Sequence, residues 1–272
     1  MVLGKPHVRN IVCTTAACAL SLAAITTMRL AGASGDAEPR SLPTNELITV
    51  RTQPSKAPAA SATPDAVRVR PSGADLPDGP PVPTLGYGTW HVVPGGGATG
   101  NAAAHTFTVE VEDGVRTAEG DAAFGTVVQQ VLDDPRGWTA GGATAFRRID
   151  AGEPDLRVRL TAQRTARELC GFELPFDTSC RIGGVVHLSA ARWTRGATAF
   201  DDLADYRRYM VNHEVGHFLG HPHEPCDAHG SPAPVMMQQT FSTANDELTR
   251  ITGGNAEQAD GKVCTANPWP HP

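Results

Sequence analysis

Two stretches of the chain alternate apolar and polar residues. Phe107, Val109 and Val111 interleave with Thr108, Glu110 and Glu112, and Leu156, Val158 and Leu160 interleave with Arg157 and Arg159. Successive side chains of a strand point to opposite faces, so each stretch predicts a half-buried strand. Shorter apolar segments at residues 89–93, 146–149 and 185–189 predict three more strands, with a glycine-rich turn after the first. Phe124, Val127, Val128 and Val131 follow helical spacing, with Asp121 placed as N-cap. A second helix is predicted over residues 201–219. A third, short one is predicted over residues 243–251, where Thr243 and Asp246 have capping-box spacing. Strand, helix, several strands and a long helix make an α+β arrangement.

Upstream of this pattern the periodicity stops. Residues 34–83 are rich in Pro, Ala and Ser with scattered charges, which predicts a disordered linker or cell-envelope tether, with a propeptide as the alternative. Residues 1–33 read as an export segment: Lys5 and Arg9, then an apolar run over residues 11–28, then Ala31-Gly32-Ala33 as a small-residue cleavage site. Arg29 interrupts that order and the run is long enough to span a bilayer, so a signal peptide and a retained transmembrane anchor both stand. Lipidation at Cys18 is a third version. Each places residues 84–272 outside the cytoplasm, secreted or anchored on the outer face of the membrane.

The chemistry concentrates in residues 211–224, VNHEVGHFLGHPHE, which contain H-E-x-x-H-x-x-G-x-x-H. His213 and His217 are four apart, so a helix projects both from one face. Gly220 accepts a left-handed conformation, and the turn it permits would return His223 to the same ion as a third ligand. With 28 Gly and 10 His in 272 residues, composition alone supplies that Gly–His pair about 0.4% of the time. Three imidazoles leave a fourth tetrahedral position open, the arrangement of a catalytic zinc site, and Glu214 adjoins the first ligand as general base. His221 also lies four residues after His217 and is the competing third ligand. His91, His105, His187 and His229 are expected to pack or to be solvated.

These residues resemble the zinc signature of the metzincin clan of metallopeptidases. That clan also carries a methionine turn beneath the metal, and Met236 (or its neighbour Met237) in SPAPVMMQQT would supply it. Residues from about 84 onward further resemble an uncharacterised family of exported bacterial domains with a Cys-x-x-Asn-Pro-Trp-Pro tail, here Cys264, Asn267, Pro268, Trp269 and Pro270. The resemblance implies a twisted mixed sheet with two helices above a small irregular C-terminal subdomain, with Zn2+ in the cleft between them. It implies a peptide or protein substrate laid along an edge strand, which residues 161–184 are expected to contain. It places Glu224 in a structural role. The phenol that some members present two residues past the methionine has no counterpart, since Gln238 or Gln239 stands there.

The remaining composition narrows this picture. Of six cysteines, Cys13 and Cys18 lie in the export segment. Cys170–Cys180 and Cys226–Cys264 are the expected disulfides, because each closes within one subdomain; metal ligation by cysteine is the rival. A net charge of −6 excludes a broad nucleic-acid footprint. The expectation is therefore an exported, monomeric zinc endopeptidase. A zinc-binding scaffold without turnover and a cell-wall amidase using the same chemistry remain open, and imidazole ligands also take other divalent metals.

Overall fold

The computed structural model describes residues 73–96, 104–170, 175–253 and 259–272. The expected export segment and the linker as far as residue 72 lie outside them, as does part of the glycine-rich turn. Among the described residues no helix is long and apolar enough to cross a membrane.

The fold is α+β. One mixed six-stranded sheet contains β1 (Trp90–Val92), β2 (His105–Glu112), β3 (Phe146–Arg148), β4 (Leu156–Thr161), β5 (Cys180–Ile182) and β6 (Val185–Ser189). The order is β1-β2-β4-β6-β5, with β3 also on β2. The centre, β2-β4-β6, is parallel, with Val109 opposite Val158 and Val158 opposite Val186. β5 turns back antiparallel on β6, with Arg181 opposite Val186, and forms the edge. β5 lies within residues 161–184, and β1 is the other end of the order. The helices are α1 (Asp121–Asp133), α2 (Gln163–Cys170), α3 (Ala190–Arg195), α4 (Leu203–Phe218) and α5 (Asn245–Thr252).

The alternation in β2 and β4 is realised as two different faces. Phe107, Val109, Val111, Leu156, Val158, Leu160, Val186 and Leu188 are buried in one core with Phe124, Val128 and Val131 of α1 and Tyr209, Met210, Val211 and Val215 of α4. Each fully buried aliphatic or aromatic side chain contributes about 1.5–3 kcal/mol, and this packing fixes α4 against the sheet. On the other face the Glu110 carboxylate accepts from Arg157, Arg159 and Thr108 at 2.8 Å each. Burial raises the pKa of Glu110, but these hydrogen bonds outweigh it and lower the carboxyl below its ordinary range.

Three expectations are corrected. Gly120, at φ 78, caps α1, and Asp121 is the first helical residue rather than the cap. The α5 cap is Ala244 without a side-chain bond; Ser242 and Glu247, not Thr243 and Asp246, make the local contact, at 2.8 Å. The ordered chain also begins before residue 84. Arg192, fully buried, donates to the carbonyls of Ala74 and Asp75, Arg195 donates to Pro80 O, and Thr198 to Gly73 O. Guanidinium-to-carbonyl clamps need no apolar periodicity in the clamped segment, so composition alone assigned it to the linker.

Both expected disulfides are present, Cys170–Cys180 and Cys226–Cys264, as an oxidising, extracellular compartment allows. The second sits in a small separate cluster with Ala74, Ala233, Met237, Phe241 and Leu248.

Candidate metal centre

α4 begins where Asp202 Oδ1 accepts from the backbone N–H groups of Ala204 and Asp205, at 2.6 and 3.0 Å. It ends at Phe218 with Leu219 as C-cap, and Gly220 just beyond has a φ of 94 that suits glycine. There Gly220 N donates to His217 O and His221 N to Gly216 O, a Schellman pair that satisfies the last carbonyls and reverses the chain. The reversal separates the two rival histidines. His221 stacks on Trp138 with ring centroids 4.4 Å apart. His223 returns, and its Nε2 lies 3.0 Å from His217 Nε2. One ligand atom from each of His213, His217 and His223 lies within 4.8 Å of the others, a group able to hold a metal ion.

Two of the rings are held from behind. His213 Nδ1 donates to Val235 O at 2.9 Å, and His217 Nδ1 to His221 O at 2.9 Å. Both bonds require Nδ1–H, which leaves Nε2 as a lone pair facing the centre. His223 differs: Nε2 of the Gln238 amide lies beside the ring, 3.0 Å from its Nδ1 and 3.1 Å from its Nε2. Oε1 of Gln238 is buried without a partner. Burial, and then repulsion from the protonated forms of His217 and His223, holds His213 at about 3. Burial and His217 hold His223 at about 4, and His217 is also lowered, chiefly by burial.

Glu214 is buried on the same helix, and its Oε2 has no hydrogen-bond partner. Burial pushes its carboxyl up to about 8, with the Arg181 charge pulling the other way. Three neutral imidazoles with converging Nε2 atoms, an unpartnered amide oxygen beside one of them and an unpartnered carboxylate oxygen beside them fit a divalent cation. The cleft has a volume of about 360 Å³, and its lining includes the triad, Glu214, Tyr209, Gln238, Thr240 and, from β5, Cys180 and Arg181.

A family model described as a protein of unknown function, DUF3152, matches residues 76–272. The chain belongs to the DUF3152 family. No curated protein matches it. The span shared with DUF3152 contains every residue of this centre.

The two adjacent methionines of this DUF3152 domain, Met236 and Met237, diverge. Met236 packs in the main core against Gly216 of α4, and its carbonyl accepts from Glu224 N at 3.1 Å, which anchors the chain next to His223. Met237 faces the small cluster. The Glu224 side chain is exposed. His91, His105, His187 and His229 do not join the triad: His91 pairs with Asp113 and Asp121, His105 meets Phe218 edge-on, His187 bonds Thr161, and His229 accepts from Val263 N.

Three residues of the cleft escaped the sequence. Tyr209 stands one turn before His213, so 209, 213 and 217 form one stripe; its hydroxyl donates to Met237 O at 2.8 Å and lies 3.3 Å from His213 Nδ1. That spacing was a usable signal. Gln238 comes from a loop and was marked only as standing two residues past Met236; Arg181 comes from an edge strand, and nothing local marked it.

Proposed function

We propose that this domain is an exported, zinc-dependent hydrolase of peptide bonds, with a site resembling that of the metzincins. The observation that carries the reading is the juxtaposition of His213, His217 and His223 with a buried carboxylate that has no structural partner. A scaffold site has no use for such a carboxylate, because an unpaired buried acid destabilises the fold.

Zinc held by the three imidazoles supplies a Lewis acid that polarises the scissile carbonyl and makes water nucleophilic at neutral pH. The protein's own groups do the rest. Glu214 takes the proton from that water and returns it to the leaving amine. Burial has already removed the solvent that would compete for its carboxylate. Val235 O and His221 O hold two of the rings in the required tautomer, and the Gln238 amide stands beside the third. β5 pairs only with β6 among the described residues, so its free edge offers backbone donors and acceptors to an extended peptide.

The test combines metal analysis with digestion of a peptide library, with and without chelator. The expected outcome is one equivalent of zinc and chelator-sensitive cleavage. Glu214→Gln should keep the metal and lose roughly 10²–10⁴-fold in kcat. Full activity in that variant would remove Glu214 as base, and bound zinc with no cleavage by the parent protein would remove the hydrolase reading.

A further inference from the structure

Besides the imidazoles, the described lining of the cleft carries one carboxyl group, Glu214, and one guanidinium, Arg181. Glu214 is buried at the centre, whereas Arg181 is exposed in the middle of β5, the edge strand. Most arginines of this domain are engaged: Arg157 and Arg159 on Glu110, Arg167 on Asp177, Arg207 on Glu119, and Arg192 on carbonyls. The Arg181 guanidinium makes no hydrogen bond or ion pair among the described residues, although its charge is felt at both Glu214 and His217. An unpaired arginine beside a hydrolytic centre is a fork of donors suited to a carboxylate. A divalent cation on three neutral imidazoles would add to its field. The mouth of the cleft would then be locally positive in a chain whose net charge is −6.

We propose that Arg181 is a specificity-determining residue that selects peptides carrying a carboxylate within one or two residues of the scissile bond. This deepens, and rests on, the reading of the cleft as a peptide site. A peptide paired to the β5 edge runs alongside residues 180–182, and its side chains alternate in direction every residue. One of them therefore projects to the Arg181 side close to the reacting carbonyl. An acidic side chain there replaces the water around the guanidinium with a charge-assisted pair. A lysine there meets like charge, so discrimination comes from both attraction and repulsion. A side-chain carboxylate and a free C-terminal carboxylate share this chemistry.

The experiment uses the full chain loaded with zinc. Peptides blocked at both ends carry Glu, Gln or Lys at each position around a fixed sequence, and a parallel set ends in a free carboxylate. The expected result is a kcat/KM roughly tenfold higher for Glu than for its isostere Gln, carried by KM, with Lys worst. The preference should weaken with added salt. Arg181→Glu should invert the order to favour Lys, and Arg181→Lys should keep a reduced acidic preference. A gain confined to the free-acid set assigns the C-terminal carboxylate, and a gain in the blocked set assigns the side chain. Identical preferences in the parent and Arg181→Glu proteins would overturn the proposal.

Peptide hydroxamates bearing Glu or Lys, titrated calorimetrically into the same proteins, separate this proposal from the hydrolase reading. A Glu preference inverted by Arg181→Glu, without any peptide cleavage, supports the specificity role and removes the turnover. No preference in either protein removes the specificity role, whatever the cleavage.

Discussion

Gly216→Ala tests how the helix and the methionine loop support the centre. In an open helix this substitution stabilises by about 0.8–1 kcal/mol, since alanine is the better helix former. Here the added Cβ would lie 2.3 Å from Met236 Sδ and 2.7 Å from Trp138 Cζ2. Neither neighbour yields freely. Met236 is 2% exposed, and the Trp138 indole is tied to Asn212 O at 2.8 Å. Overpacking of this kind costs about 1–3 kcal/mol, and two constrained neighbours place it in the upper half of that range. The net expectation is a loss of about 1–2 kcal/mol, or about 3–6 °C in Tm for a domain of this size.

The same shift should reach the metal. Displacing Met236 moves Val235 O, the acceptor for His213 Nδ1, and loosens the Glu224–Met236 link beside His223. Losing such outer support weakens metal binding by about 10–100-fold, and the lower figure applies where the acceptor is moved rather than removed. Denaturant unfolding of the metal-free protein and zinc competition against a chelator measure the two effects. Met236→Ala added to Gly216→Ala should relieve the clash, giving a coupling energy of opposite sign to the single losses. A Gly216→Ala protein that is more stable by about 1 kcal/mol and binds zinc unchanged would refute the packing argument.

Removing the disulfides should rank them by loop length. Loss of Cys226–Cys264, separated by 38 residues, should cost about 4 kcal/mol, and loss of Cys170–Cys180, separated by 10, about 2.7, measured as unfolding free energies of the paired Ser variants. The reverse order would show that the larger loop is already constrained in the unfolded chain. His187, held at about 4 chiefly by burial and then by Arg159, makes stability fall on acidification. The unfolded imidazole takes its proton near pH 6.5 and the folded one only near 4. The contribution is therefore intact above 6.5 and is lost as the pH falls from 6.5 through 4, the loss totalling about 3 kcal/mol below that window. His187→Gln, compared with the parent in chelator from pH 7 to 4, should flatten this part of the curve, and parallel curves would exclude it.

Much of this was legible because it depends on local patterns. The faces of β2 and β4 follow from alternation, the end of α4 from Gly220, and the convergence of His213, His217 and His223 from spacing along one helix and one turn. What was not legible breaks the link between residue type and place. α2 buries only Ala166 and has no apolar stripe to count. α3 buries Arg192, a residue that reads as solvated until the carbonyls of residues 74 and 75 are brought to it. Tyr209 lies on the metal-facing stripe, but an aromatic at helical spacing reads as core. Gln238 and Arg181 acquire their meaning only when a loop and a sheet edge meet across the cleft.

The C-terminal Asn-Pro-Trp-Pro segment has a physical task at this centre. Beyond Leu219 the described chain has one helix and two isolated bridges, so little regular pairing holds the loop that carries Val235, Met236 and Gln238. Side-chain amides take over that work. Asn267 donates to Ala233 O at 2.8 Å, its backbone N–H donates to Gln239 Oε1 at 2.9 Å, and Gln239 returns a bond to Asn267 O. The tail thereby grips the loop on both sides of the residues that orient His213 and contact His223. Asn212, next to the first ligand, donates to Pro268 O at 2.8 Å, and Trp269 is buried in the main core under Arg136. The tail thus joins helix, loop and core at the point where the third histidine must be held by irregular chain. Support for the loop beside His223 comes here from buried amides, because among the described residues no strand or helix carries it.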